Sequence, residues 1–161
     1  MDPSIHILLV EDDPAHAELV ERAFHGSSGR FRVSVVRTLA AAQTVLRDTD
    51  PDLVIADWRL PDGDGMDLVR GSASHGVVPV VLMTSHGNER VAVEALQSGV
   101  LDYVVKSVET LSDMPHIADR VLQEWRHRRE RDSMQAALQM SERKYRFLAD
   151  HLVDVIWTMD L

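Results

Sequence analysis

Three carboxylates, one hydroxyl and one ammonium sit at equivalent points of the sequence. Leu53-Val54-Ile55-Ala56 runs straight into Asp57, and Ile5-His6-Ile7-Leu8-Leu9-Val10 runs into Glu11-Asp12. Val77 to Met83 leads into Thr84, and Asp102-Tyr103-Val104-Val105 ends in Lys106. Acids without a His or Cys beside them form an oxygen-only ligand set, which suits a hard divalent ion, Mg²⁺ before Zn²⁺. Mg²⁺ is usually shared between one or two carboxylates and a phosphoryl group. Lys106 brings a compact positive charge suited to phosphoryl oxygens, and Thr84 a rotatable hydroxyl donor. Asp57 is a carboxylate placed to act as a nucleophile. Together these groups describe a site that forms an acyl phosphate on Asp57, with cations offsetting the charge on the transferred group.

The surrounding elements must bring these residues together. The run 53–57 is apolar and partly β-branched, the pattern of a strand buried on both faces. Pro14 opens a first helix with Asp13 as N-cap, and Gly26 to Gly29 ends it. Phe31 to Val35 alternates, as a half-exposed strand near a sheet edge does. Thr38 caps a second helix that carries Leu39, Ala42, Val45 and Leu46 on one face. Asp64 is expected to cap a short third helix through Met66, Leu68 and Val69. Pro79 belongs near the start of the fourth strand, because proline removes a ladder donor. Asn88 can cap a fourth helix, which carries Val91, Ala95 and Leu96 and stops at Gly99 in a left-handed conformation. After Pro115 a fifth helix buries Ala118, Val121, Leu122 and Trp125. Five β–α pairs of this kind build a parallel sheet covered by helices on both faces. In an open α/β sheet the C-terminal strand ends converge on one crevice, where ligands bind, so Glu11, Asp12, Asp57, Thr84 and Lys106 are expected to meet there.

Composition removes several other function classes. Residues 1–125 carry 20 acidic and 10 basic side chains, which argues against a nucleic-acid surface in the main domain. Residues 126–146 are net +4, and a solvated helix face accounts for that. There is no cysteine, hence no disulfide or thiolate metal site. No apolar run approaches the roughly 20 residues of a membrane span, and no signal peptide is visible, so a cytoplasmic location is expected. Asp62, Asp64 and Asp67 do not fit the spacing of a calcium loop, and no nucleotide-binding glycine motif is present.

Leu8-Leu9-Val10-Glu11-Asp12-Asp13-Pro14, Asp57 to Gly65, Thr84-Ser85 and Asp102 to Lys106 closely resemble the receiver domain of two-component response regulators, over roughly residues 4–126. The resemblance implies a flavodoxin-like α/β fold with a five-stranded parallel sheet in the order 2-1-3-4-5. It also implies that Asp57 accepts phosphate from a histidine kinase or a phosphotransfer protein. Mg²⁺ would be held by Asp12, Asp57 and the Arg59 backbone carbonyl, with Glu11 acting through water. Thr84 and Tyr103 match the switch pair, and Lys106 the residue that pairs with the phosphoryl group. Arg59 and His86 flank the site at positions that tune dephosphorylation in this family. Ser107 stands where that family has proline, so this loop is expected either to hold a trans bond and follow a different course or to store strain.

The tail follows another pattern. Arg126 to Asp132 is too polar for a core, and Met134, Leu138, Ser141, Tyr145, Leu148 and Leu152 follow at alternating spacings of four and three. That is a heptad seam, expected to form a parallel coiled-coil homodimer through a long C-terminal helix. The resulting division is a receiver at 1–126, a signalling helix at 127–152, and at 153–161 the start of a PAS-like domain. Ser141 to Asp150 followed by Asp154 to Leu161 resembles the opening of a PAS sensor domain, a helix leading into a first strand. Val155 to Met159 is then expected to fray or to pair with a neighbouring molecule, in a longer protein such as a hybrid sensor kinase or a receiver–PAS regulator. The leading function is a phosphoacceptor receiver that turns over no exogenous substrate. Two competing readings are a Mg²⁺-dependent phosphohydrolase and a pseudo-receiver that serves only as a dimerisation scaffold. Against the hydrolase, position 59 is arginine where a second acid would be needed.

Overall fold

The computed structural model describes residues 4–27, 29–72, 78–85 and 89–159. Val77, His86 and Asn88, invoked above, lie outside them. The chain divides into two compact units, Met1–Gln123 and Glu124–Leu161.

In the first unit, strands β1 (Ile5–Val10), β2 (Phe31–Val36), β3 (Leu53–Asp57), β6 (Val80–Thr84) and β7 (Asp102–Val105) form one parallel sheet in the order β2-β1-β3-β6-β7. Counted among themselves these strands have the expected order 2-1-3-4-5. After β3, Arg59–Leu60 (β4) and Gly63–Asp64 (β5) add a two-rung antiparallel ladder. Strand side chains alternate between faces, so the sheet supports two cores. Ile7, Leu9, Ile55, Val81 and Met83 pack with Ala17, Val20 and Phe24 of α1 (Pro14–His25) and with Met114, Ile117, Ala118 and Val121 of α6 (Met114–Met159). Leu8, Val10, Val54, Ala56 and Leu82 pack with residues of α2 (Leu39–Asp48), α3 (Met66–Ser72) and α4 (Glu89–Gln97). Two-sided burial of this kind requires the near-continuous apolar runs seen in β1, β3 and β6.

The expected local signals operate. Asp13 accepts from the backbone N–H groups of Ala15 and His16, and Thr38 from that of Ala41. Pro79 immediately precedes β6, and Gly99 takes φ 98° just beyond α4. Other expectations need correction. Asp64 is not the residue before α3. It sits in the ladder opposite Arg59, and Gly65 precedes the helix. A short helix α5 (Val108–Ser112) comes before α6, started by a reciprocal cap in which Ser107 accepts from the Thr110 N–H and Thr110 accepts from that of Ser107. No described peptide bond is cis, so the Lys106–Ser107 bond is trans, and Ser107 serves as a helix cap. Residues 155–159, expected as a strand, are helical. A lone strand leaves its N–H and C=O groups unpaired, whereas a helix closes them internally.

Asp62 has a role that no local pattern announces. Its carboxylate accepts from the N–H groups of Leu39 and Ala40 at 2.7 and 2.9 Å, covering the start of α2 from 23 residues downstream. These bonds, Ala40 first, hold its carboxyl below the usual range. A depressed carboxyl contributes stability above its unfolded pKa of about 4 and loses it as pH falls through the folded value. Asp62→Ala is therefore expected to lower the urea midpoint at neutral pH. The gap to wild type should close as acidification passes through that lowered folded value, measured as paired urea titrations across pH.

Candidate functional site

Backbone pairing sets the strand exits side by side. Asp57 is in register with Met83, and Thr84 with Val105. Beyond the paired residues, Glu11 N–H donates to Val36 O, Trp58 N–H to Met83 O and Lys106 N–H to Thr84 O, at 3.0, 2.7 and 2.7 Å. Each chemically active residue therefore leaves its strand at the same level of the sheet.

The side chains converge as the topology requires. Lys106 Nζ lies 2.6 Å from Asp57 Oδ2 and 2.7 Å from Glu11 Oε2, and its side chain is only 3% exposed. Asp57 Oδ1 accepts from the Arg59 N–H at 3.3 Å, and Glu11 Oε1 from the Asp13 N–H at 3.2 Å. Glu11, Asp12 and Asp57 each offer a carboxylate oxygen, and these oxygens all lie within 4.8 Å of one another. Glu11 Oε2 is buried against the Lys106 ammonium, which at 2.7 Å is its partner among the described residues. Three carboxylates with oxygens this close together are a donor set that fits a hard divalent cation.

Burial pushes the Glu11 carboxyl up from its ordinary value, against the pull of Lys106. For Lys106 burial acts downward, but the bond to Asp57 and the pairing with Glu11 outweigh it, and its pKa is raised. The ammonium thus stays charged at neutral pH. One positive charge among three carboxylates leaves the cluster net negative, which favours a further cation.

Thr84 is buried at the end of β6, next to the position that pairs with Asp57. Tyr103 pairs in register with Leu82 and packs, partly buried, against the core that contains Ala56 and Val100. The Arg59 side chain is exposed, while its backbone is tied to Asp57 and to the ladder.

A site of carboxylates, hydroxyl and lysine alone is an incomplete expectation. His16, in the first turn of α1, puts Nδ1 3.4 Å from Lys106 Nζ. Its only sequence signal is its place one turn before the buried Val20. Gly65 is a second residue that motif reading does not explain. A Cβ there would stand 2.3 Å from the Asp57 carbonyl oxygen and 3.1 Å from Leu82 Cδ2. Gly65→Ala is expected to cost about 3 kcal/mol, the upper end for overpacking, since backbone rather than a flexible side chain must yield. Urea unfolding of the variant measures this.

Known proteins agree with the geometry. Residues 7–118 match the response regulator receiver domain. The methanogenesis regulatory protein FilR1 of Methanothrix harundinacea is 38% identical over 136 residues, 81% of this chain and 30% of that protein. The chain thus spans less than a third of that relative's length. The crystal structure of the phosphorylated cyanobacterial phytochrome response regulator RcpA matches with a TM-score of 0.63 and 27% identity, covering 70% of this chain and 89% of that one. The Mn²⁺-bound form of response regulator Rcp1 matches with a TM-score of 0.61 and 27% identity, covering 70% of this chain and 88% of that one. With its sheet order, its strand-end cluster and this similarity in accord, the chain belongs to the response regulator receiver family.

Proposed function

We propose that this receiver takes a phosphoryl group on Asp57 from the phosphohistidine of a histidine kinase or phosphotransfer protein, and passes the resulting change to an output through its C-terminal helix. The observation that carries this is the contact of Lys106 Nζ with Asp57 Oδ2 at 2.6 Å, inside a cluster of three carboxylates. An Asp57 oxygen attacks phosphorus. The new P–O bond forms as the donor's P–N bond breaks, and the electron pair leaves with the imidazole nitrogen. Glu11, Asp12, Asp57 and the Arg59 carbonyl would hold Mg²⁺, which when bound offsets charge on the phosphoryl oxygens. The Mn²⁺-bound Rcp1 and the phosphorylated RcpA, each 27% identical, support both parts of the reading. Lys106 supplies the second positive charge, held by Glu11 while Asp57 reacts. Thr84 would donate its hydroxyl to the phosphoryl group, and Tyr103 would change its packing in concert, shifting the balance between inactive and active forms.

The tail supports a dimer. Met134, Leu138, Tyr145 and Leu148 are exposed on α6 at the seam spacing, and Met134 and Tyr145 are each about 70% exposed. Residues 127–152 act in this reading as a signalling helix that pairs with a second copy, and 153–161 open a PAS-like domain. The full chain is expected to sediment as a dimer and the Leu138→Glu variant as a monomer. A wild-type monomer at tens of micromolar would remove the coiled coil. Among the described residues no helix is long and apolar enough to cross a membrane, in keeping with a cytoplasmic site of action.

Intact-mass measurement after incubation with acetyl phosphate tests the central reading. One phosphoryl group is expected with Mg²⁺ and none after EDTA. Steady phosphate release without an adduct would favour a phosphohydrolase. No adduct together with no Mg²⁺ binding would leave a scaffold.

A further inference from the structure

His16 approaches the one buried cation of the described cluster from an element that contributes none of the acids. Its backbone is fixed: the N–H donates to Asp13 Oδ1 at 3.3 Å, one of two bonds that set the first turn of α1. Its ring is about one-third exposed, with Nδ1 3.4 Å from Lys106 Nζ, 3.7 Å from Asp13 Oδ2 and 3.8 Å from Glu11 Oε1. An ammonium has three N–H donors and no acceptor, so a ring nitrogen that faces it in a hydrogen bond presents its lone pair. Both carboxylate oxygens are beyond hydrogen-bond reach of Nδ1, and neither calls for a proton there. With the ring proton on Nε2, Nδ1 is placed to be that acceptor.

The Lys106 ammonium has three N–H groups and three neighbours here, Asp57 Oδ2 at 2.6 Å, Glu11 Oε2 at 2.7 Å and His16 Nδ1 at 3.4 Å. We propose that His16 is a positioning residue for Lys106. Its Nδ1 lone pair takes one N–H and thereby aims another at the reacting carboxylate of Asp57. The proposal rests on the reading of Asp57 as phosphoacceptor. When that carboxylate becomes an acyl phosphate, Lys106 exchanges a carboxylate oxygen for a phosphoryl oxygen, and the imidazole contact stays the same. A neutral acceptor holds the ammonium in place without competing with the phosphoryl group for its charge. The 3.4 Å separation is long for a hydrogen bond, so the expected effects are those of one weak bond in a buried site.

The chain contains two lysines, Lys106 and Lys144, and Lys144 is exposed on α6, so ¹⁵N-lysine labelling of the full chain isolates the site. The Lys106 ammonium protons are expected to exchange slowly in the wild type and about tenfold faster in His16→Phe, with His16→Gln, which keeps an acceptor, restoring slow exchange. The initial rate of phosphate uptake from acetyl phosphate should fall about tenfold in His16→Phe and recover in His16→Gln, with half-saturation unchanged. Wild-type exchange and rate in His16→Phe would overturn the proposal. So would equal losses in both variants at unaltered circular dichroism, since ring bulk rather than an acceptor would then be at work. If wild type takes up no phosphate while lysine exchange responds to His16→Phe, the reading of Asp57 fails and the contact stands. If wild type is phosphorylated while exchange and rate do not respond, the positioning proposal alone fails.

Discussion

Asp57→Asn is expected to take up no phosphate from acetyl phosphate and Mg²⁺ under conditions that modify the wild type. The fold should survive, because asparagine has nearly the same shape and keeps an oxygen for the Arg59 N–H, which bonds Asp57 at 3.3 Å. Two properties are lost. The amide oxygen is a far weaker nucleophile than a carboxylate, which removes the covalent step. One of the three clustered carboxylates also disappears, so Mg²⁺ affinity should fall. Mass spectrometry with a parallel Mg²⁺ titration separates the two effects. An adduct on the variant equal to that on wild type would place the phosphate on another residue.

Lys106→Met is expected to harm both stability and chemistry. The ammonium sits among Glu11, Asp57 and His16 with its side chain 3% exposed. Removing one partner of a buried pair leaves the other charge uncompensated, a loss of about 3 kcal/mol. The sign of the pH dependence follows. Glu11 is already raised by burial, and loss of Lys106 removes a pull that lowers it. A carboxyl raised in the folded state binds its proton more readily there than in the unfolded chain. Stability then falls as pH rises through the unfolded and toward the folded value. The deficit of the variant should thus be largest near neutrality and shrink on acidification. Mg²⁺ should recover part of it by binding the folded state with its uncompensated carboxylates. Phosphorylation should slow by about 100-fold, the usual effect of deleting one group that stabilises charge in the transition state. Urea unfolding across pH, with and without Mg²⁺, and single-turnover uptake measure these effects.

Signals confined to one turn or one strand are readable from the chain itself. The cap at Asp13 requires only the next three residues, and the left-handed Gly99 only the helix it ends. The apolar runs of β1, β3 and β6 show two-sided burial without reference to a partner. Because right-handed crossovers leave few sheet orders, strand-end residues from four elements can be gathered before any distance is known. Asp57, Glu11, Asp12, Thr84 and Lys106 emerge in this way as one group.

The remainder is set by contacts between segments far apart in sequence. The Lys106–Asp57 pair spans 49 residues and the Lys106–His16 contact 90. No periodicity shows which face of α1 turns towards β7. Asp62 caps α2 because the fold brings the loop after β3 against that helix, whereas in sequence Asp62 reads only as one of several acids in a turn. Gly65 must be glycine because of the Asp57 carbonyl beside it, which a residue count does not reveal. The strand expected at 155–159 goes the other way, since a strand exists only with a neighbour and a helix needs none. Which side chains leave which strands follows from local pattern and chain direction, so it can be read along the chain. Which of them touch, and which histidine joins them, follows from how separate elements pack, so it appears only in the folded molecule.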